Sequence, residues 1–484
     1  MLTNTDFNVP DYLKKNSHVI FWTSGLFSIL FFLIAIFCER NYFFVLPFAC
    51  LFLALLVYNF RIFFFLMLLV LPVSVESYLG SFGTDLPSEP MVIVLAGCTI
   101  LYLFFYKDEL NVKSFRHPIF IILVLMFLWS VFVTFFSTDV ILSLKYLLAK
   151  SWYLLGFFVL PVILLRNKKS IQLFFWCLFI PTLISVLFVI IRHGMLHFTF
   201  DNITKAVHPI YRNHVNYAVF ITMILPFIFL AKSWYPKDYF RYQVLKYSIP
   251  VFLAAIYLSY TRGAWLATGA LLVYLFILRF NLTKYALTAA SIGTILFSAY
   301  IFKDNNYLKY SPDFEHTIYH EDLSEHLSST FEMKDMSTVE RFYRWIAAVN
   351  LFKENPAVGV GPNNFVTNYK KYAVTAYETY ISDNEEKSTV HNYFLLLLTE
   401  QGFPALVLFV ILIFAILLTA QNTFNKVSAG QKKYVATITL CIVVFLINNT
   451  LSDLVEANKI GSLFLMCLGL LVNFSTQSVE LEVD

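Results

Sequence analysis

Residues 391–402 read HNYFLLLLTEQG, which sets a histidine and an asparagine directly before four leucines. An imidazole with an unperturbed pKa of about 6.5 is neutral near physiological pH and can take a proton from a hydroxyl, so His391 is a candidate general base. The plainer use of the pair is structural, His391 and Asn392 supplying polar groups to the start of an apolar helix. A second stretch, SYTRGAWLA at 259–267, sets Arg262 between two apolar runs, and Gly263 permits the reversal between them. A guanidinium fork suits a diphosphate better than an ammonium does, although an arginine at a membrane boundary also serves as an anchor. In a third, His208, Arg212, Asn213, His214 and Asn216 crowd the start of the apolar run near 215–231. Asn213 or Asn216 can cap that helix, and an anion there is favoured by Arg212 and by the helix dipole.

Other chemistries find little support. His193 with His197, and His316 with His320, have i,i+4 spacing, but neither pair has a clear third ligand, so no metal site is expected. The six cysteines all fall in apolar stretches without metal-ligand spacing, and neither disulfides nor zinc are expected. No phosphate-binding loop, dinucleotide fingerprint or nucleophile elbow is present. The expectation is therefore no cofactor and no nucleic-acid partner.

What must position these residues is a membrane-embedded bundle. The chain has 484 residues, 59% hydrophobic and only 14% charged, with a mean hydropathy of +0.69. Runs long enough to cross the hydrocarbon, about 17 to 25 residues each, recur along nearly the whole length. They fall near 18–38, 42–58, 60–79, 90–106, 118–137, 144–165, 170–191, 215–231, 247–260, 264–279, 284–302, 403–420, 434–451 and 459–473. The fold class predicted is an all-α integral membrane protein of about 12–14 transmembrane helices, and the first span is expected to stay as a helix. Polar residues concentrate in 303–402, far longer than a connection needs. Within it, STVERFYRWIAAVNLFKENP predicts a helix opened by Ser337 and Glu340 in capping-box spacing and stopped at Asn355-Pro356. A glycine-rich turn, AVGVGPNNF, and a second amphipathic stretch, NYKKYAVTAYETY, follow. The organisation expected is a transmembrane part at 1–302, a large, partly helical loop at 303–402, and C-terminal helices with a short tail at 403–484.

The net charge of +4 matters less than its placement. Lys168, Lys169, Lys232, Lys237, Arg279, Lys426, Lys432 and Lys433 fall on alternate connections. By the positive-inside rule both termini are cytoplasmic, and the Arg262 turn and the long loop face outward.

Taken together, YTRGAWLA, ERFYRWIAAVNLFKENPAVGVGPNNF and HNYFLLLLTEQGFPAL, in that order, resemble the characteristic segments of the O-antigen ligase and polymerase superfamily of bacterial inner-membrane proteins. The resemblance covers roughly residues 205–420; the N-terminal helices match only in hydropathy. It implies a metal- and nucleotide-independent, inverting glycosyltransferase of the bacterial inner membrane, with a glycan on undecaprenyl diphosphate as donor, transfer on the periplasmic side, and a lipid A-core or other glycan as acceptor. By motif position His391 activates the acceptor hydroxyl and Arg262 holds the lipid diphosphate. Arg212, in YRNHVNYA where the family often has Gly-x-x-x-Asn-x-Asn, is the second arginine, with His214, Arg341 and Asn392 as further substrate contacts. Membrane lipids are the remaining partner expected.

A ligase is the leading reading and a polymerase using the same donor the alternative. A flippase of lipid-linked oligosaccharides calls for charges along several mid-membrane helices and for internal repeats; apart from Lys150, and Asp453 with Glu456 near a boundary, the spans lack them. Topology mapping tests the orientation. Reporter fusions within 303–390 should read periplasmic and fusions near Lys168 or Lys432 cytoplasmic; a cytoplasmic signal from the long loop reverses the assignment.

Overall fold

In hydrocarbon every backbone N–H and C=O must be satisfied within the segment, so long apolar runs become helices. The computed structural model describes residues 59–79, 82–106, 110–303, 336–373 and 388–477, with isolated positions at 22, 23, 26 and 479. The chain is an all-α integral membrane protein. Among the described residues, eight helices are long and apolar enough to cross a bilayer: Ser88–Phe105, Val140–Leu164, Lys168–Met195, His214–Lys232, Arg262–Arg279, Tyr393–Lys426, Ala429–Asn448 and Asn458–Ser475. Asn59–Val73 and Pro118–Thr134 are shorter apolar helices. Phe240–Leu258 and Thr283–Phe302 are helices where spans 247–260 and 284–302 were expected. The expected spans at 18–38 and 42–58 lie outside the described residues.

In chain order we label Asn59–Val73 α1, Ser88–Phe105 α2, Pro118–Thr134 α3, Val140–Leu164 α4, Lys168–Met195 α5, Phe200–Val207 α6, His214–Lys232 α7, Phe240–Leu258 α8, Arg262–Arg279 α9 and Thr283–Phe302 α10. Met336–Glu354 is α11, Phe365–Tyr369 α12, Tyr393–Lys426 α13, Ala429–Asn448 α14 and Asn458–Ser475 α15. The span expected at 60–79 is corrected: its helix ends at Val73, and Val75–Leu79 (β1) pairs antiparallel with Phe82–Leu86 (β2), Val75 opposite Leu86. Pro72 sits where the helix tightens to a close, and Val75 and Tyr78 in VESYL are residue types favoured in strands.

Helices α7 and α15 are the most buried of the eight spans. Around them α7 packs on α14 and α8, α14 on α9 and α15, and α13 on α3. Hydroxyls inside this apolar bundle are returned to their own helices: Thr182, Thr222 and Thr439 donate to the carbonyls of Leu178, Ala218 and Val435. Lys150, which stood out in an apolar run, is paired: its Nζ lies 3.2 Å from Glu456 Oε1, which Tyr146 also reaches.

Helix α11 covers the predicted amphipathic stretch and already includes Met336, so Ser337 lies within the helix rather than capping it. It lies against α13 and buries Tyr343, Ala347, Ala348 and Leu351. Of the second amphipathic stretch, Asn368 and Tyr369 fall in the short α12, and residues 374–380 lie outside the described set.

The apolar helix expected from residue 403 starts ten residues earlier, at Tyr393, and is broken at Gly402, where φ is 75°. Against that break lies the glycine-rich turn. Val360 and Gly361 donate to the carbonyls of Thr399 and Glu400, and Phe403 donates to Pro356. The approach leaves no room for a side chain, because a Cβ on Gly402 would stand 2.3 Å from the Ala357 carbonyl oxygen. Gly402→Ala should therefore lower the thermal midpoint in detergent, the left-handed backbone alone costing about 1–3 kcal/mol. Gly430→Ala, whose added methyl meets nothing within 4 Å, is the control; equal midpoints for the two variants contradict this account of the turn.

Candidate functional site

The start of α13 is built by Asn392. Its side chain accepts from the Leu395 N–H at 3.0 Å and donates to the Thr450 carbonyl at 2.9 Å, so both ends of the amide hold the fold. The Tyr393 N–H donates to the Asn449 carbonyl at the end of α14. His391, one residue outside the helix, has φ of 55°, and its half-buried ring stands over the 449–456 connection. Its Nδ1 lies 3.9 Å from Asp453 Oδ1, beyond hydrogen-bond range. Thr389 donates to the other oxygen of Asp453, fixing the carboxyl on the imidazole side, and burial raises the Asp453 pKa above its usual range.

Three arginines act on the imidazole. Its pKa is pushed down to about 3, first by burial and then by the charges of Arg344, Arg341 and Arg212. Arg341 and Arg344 stand three residues apart on α11 and so share a face. Arg344 is 3% exposed, and its Nε has no hydrogen-bond partner among the described residues. A buried guanidinium without a hydrogen-bonded counter-charge is costly, and an arriving anion would complete it. Arg212 comes from the connection before α7 and is exposed.

The helix ends add to the field. The starts of α7, α9, α13 and α15 meet on one side of the bundle. Thr261, before α9, reaches the His214 carbonyl at the start of α7, and Gly263 lies against Asn448 at the end of α14. Val455, just before α15, donates to Asn449. Each helix start carries a partial positive charge, so this face favours an anion.

The residues singled out from sequence thus divide. Arg212 and Arg341 come to His391, and Asn392 caps the helix beside it. Arg262 opens α9 on the adjoining turn. His214 opens α7, its Nδ1 3.1 Å from Thr204 Oγ1. His197 lies beyond the end of α5 at Met195, so it does not share a helix face with His193. Arg344 and Asp453 had no role assigned from sequence. The i,i+3 spacing from Arg341 was the signal for the first; Asp453 stood out only as an acid near a boundary.

Residues 248–410 match the family described as O-antigen ligase. The chain is related to the O-antigen ligase superfamily. The matched stretch holds Arg262, Arg341, Arg344 and His391 of the site, while Arg212 and Asp453 lie on either side of it. Among curated proteins no match was found. The match supports a membrane glycan-transfer function of the O-antigen ligase and polymerase kind.

The depressed imidazole has a consequence for stability. In the unfolded chain His391 takes a proton near pH 6.5, whereas in the folded, ligand-free protein it resists one down to about pH 3. Stability contributed by the neutral ring is present above pH 6.5 and lost as pH falls toward 3. The thermal midpoint of the wild type should drop more steeply between pH 7 and 4 than that of His391→Gln. Asp453 acts with the opposite sign, and both proteins retain it. Parallel slopes would contradict the burial of His391 beside the arginines.

Proposed function

We propose that the protein is an O-antigen ligase that moves a glycan from undecaprenyl diphosphate to a lipid A-core or another acceptor on the periplasmic side of the bacterial inner membrane. The observation that carries this reading is the imidazole of His391 held in the field of three arginines, one of them buried with an Nε that has no hydrogen-bond partner among the described residues. The diphosphate lies among Arg212, Arg341 and Arg344 at the convergent helix starts, with Arg262 on the adjoining turn. The acceptor oxygen attacks the anomeric carbon from the face opposite the diphosphate, inverting it. His391 takes the hydroxyl proton as the new C–O bond forms and the bond to the diphosphate breaks. Negative charge that develops on the leaving phosphate is met by fixed cations, which need no rearrangement at that moment. Asp453, at 3.9 Å from Nδ1, faces the imidazolium that results, leaving Nε2 for the acceptor.

Donor binding also makes the base competent. A conjugate acid near pKa 3 accepts a proton poorly, but a diphosphate neutralises the charges of Arg344, Arg341 and Arg212 that help hold it there. The acid limb of kcat, which reports the donor complex, should therefore lie at higher pH than that of kcat/KM, which reports the free enzyme.

The test is transfer from a purified undecaprenyl-diphosphate-linked glycan to a lipid A-core acceptor in proteoliposomes, without added nucleotide. His391→Ala should lower kcat by at least about 10²-fold. Arg344→Lys should keep less activity than the wild type and more than Arg344→Ala, because the charge stays and the fork is lost. Wild-type rates in His391→Ala would remove the base from this reading. The lipopolysaccharide profile of a deletion strain separates the activities that share this donor: loss of all long chains with accumulation of lipid-linked polymer marks a ligase, and a single repeat on the core marks a polymerase.

A further inference from the structure

Lys459, the second residue of α15, is 9% exposed. Its ammonium group has three N–H donors, and three carbonyls accept them: Pro72 at 3.0 Å, Ser74 at 2.8 Å and Ile210. The ring of Tyr211 lies 4.4 Å from the same nitrogen. An apolar side chain in its place would leave the three carbonyls without their donor, so the ammonium and the backbone around it depend on each other. What Lys459 provides that an apolar residue cannot is a fixed direction for the backbone it grips.

That backbone leads straight into Arg212. The connection is held on both sides of it: Arg192 donates to the His208 carbonyl, the Tyr211 hydroxyl lies 3.0 Å from Ser185 Oγ, and Asn213 caps α7 through the Asn216 N–H at 2.9 Å. Arg212 itself is exposed, so its aim is set by these backbone anchors. Lys459 is the anchor immediately before it, and it ties the connection to the turn ahead of β1. Asn458, its neighbour, ties the same helix start to Asp85 on β2.

We infer that Lys459 is a positioning residue for the transfer reaction: by holding Ile210 and Tyr211 it sets where the Arg212 guanidinium stands relative to His391. This rests on the reading of Arg212 as a diphosphate contact. Lys459 lies outside the residues that match the O-antigen ligase family.

The experiment is a double-mutant cycle of Lys459→Met and Arg212→Ala, with Lys459→Gln, which keeps two donors, as a second variant should the methionine protein not fold. Two readouts are taken. In the transfer assay each single variant should lower kcat/KM for the donor by about tenfold or more and leave the acceptor KM unchanged. The double variant should be no worse than Arg212→Ala within about twofold, because a residue acting through another has nothing left to position. Multiplying losses, or normal donor kinetics in Lys459→Met, would overturn the inference. The second readout needs no turnover: NMR titration of His391 in ligand-free protein, where Arg344, Arg341, Arg212 and Asp453 face the ring. Lys459→Met should raise the His391 pKa in the same direction as Arg212→Ala, and the double variant should go no further. An unchanged titration in Lys459→Met overturns the positioning role even if the wild type transfers no glycan, a result that by itself would count only against the ligase reading.

Discussion

The carboxyl group of Glu400 holds the arginine-bearing loop to the membrane bundle. One oxygen accepts the Asn363 N–H at 2.8 Å and the other the Phe365 N–H at 3.0 Å, and the side chain is buried in α13 two residues before the break at Gly402. Each partner needs the other. Without the loop the carboxyl would be buried and bare; without the carboxyl the loop would bury unpaired N–H groups. Around this pair run the backbone bonds from Val360, Gly361 and Phe403, and Trp129 and Ser130 of α3 clasp Gln401 beside it. With the turn docked, α11 is carried onto α13, and Arg341 and Arg344 reach the electrostatic range of His391.

A helix that breaks where the loop docks also explains how one element serves two environments. Below Gly402 it is an apolar span; above it, the short run from Tyr393 carries the imidazole to the rim. Asn392 bonds to Thr450 and Tyr393 to Asn449, so the rim is fixed to the end of α14. His391 thus stands on ordered backbone at the boundary, where the proposed reaction needs an acceptor hydroxyl from water to meet a donor from lipid.

Much of the fold was legible in the sequence because hydrocarbon leaves an apolar run few choices. The helices from 88 to 302 and from 429 to 475 appear near their expected places for that reason. The β1–β2 ribbon was hidden because Phe60–Val73 supplies enough hydropathy to carry a span through VESYL, a stretch with no strand alternation of its own. That the helix opened by Asn392 runs on through Gly402 was hidden because TEQG reads as a loop, and only the docked glycine-rich turn shows that those polar groups are used inside. In the site, His391 and the arginine motifs announced themselves as charges at membrane boundaries. Asp453 and Lys459 did not, since their roles come from carbonyls and side chains more than sixty residues away in the chain.

The gathering of four helix starts and several arginines on one face bears on how a reaction cycle ends. In the proposed reaction the spent lipid diphosphate carries one more negative charge than the glycosylated donor, so the features that capture a donor hold the spent lipid at least as firmly. Recognition by charge alone thus favours the spent lipid, and only the glycan contacts favour the donor. For the proposed reaction this makes release of the spent lipid the step the site resists most, and the exposed side chain of Arg212, in contrast to the buried Arg344, is the edge of the cation cluster that water reaches first.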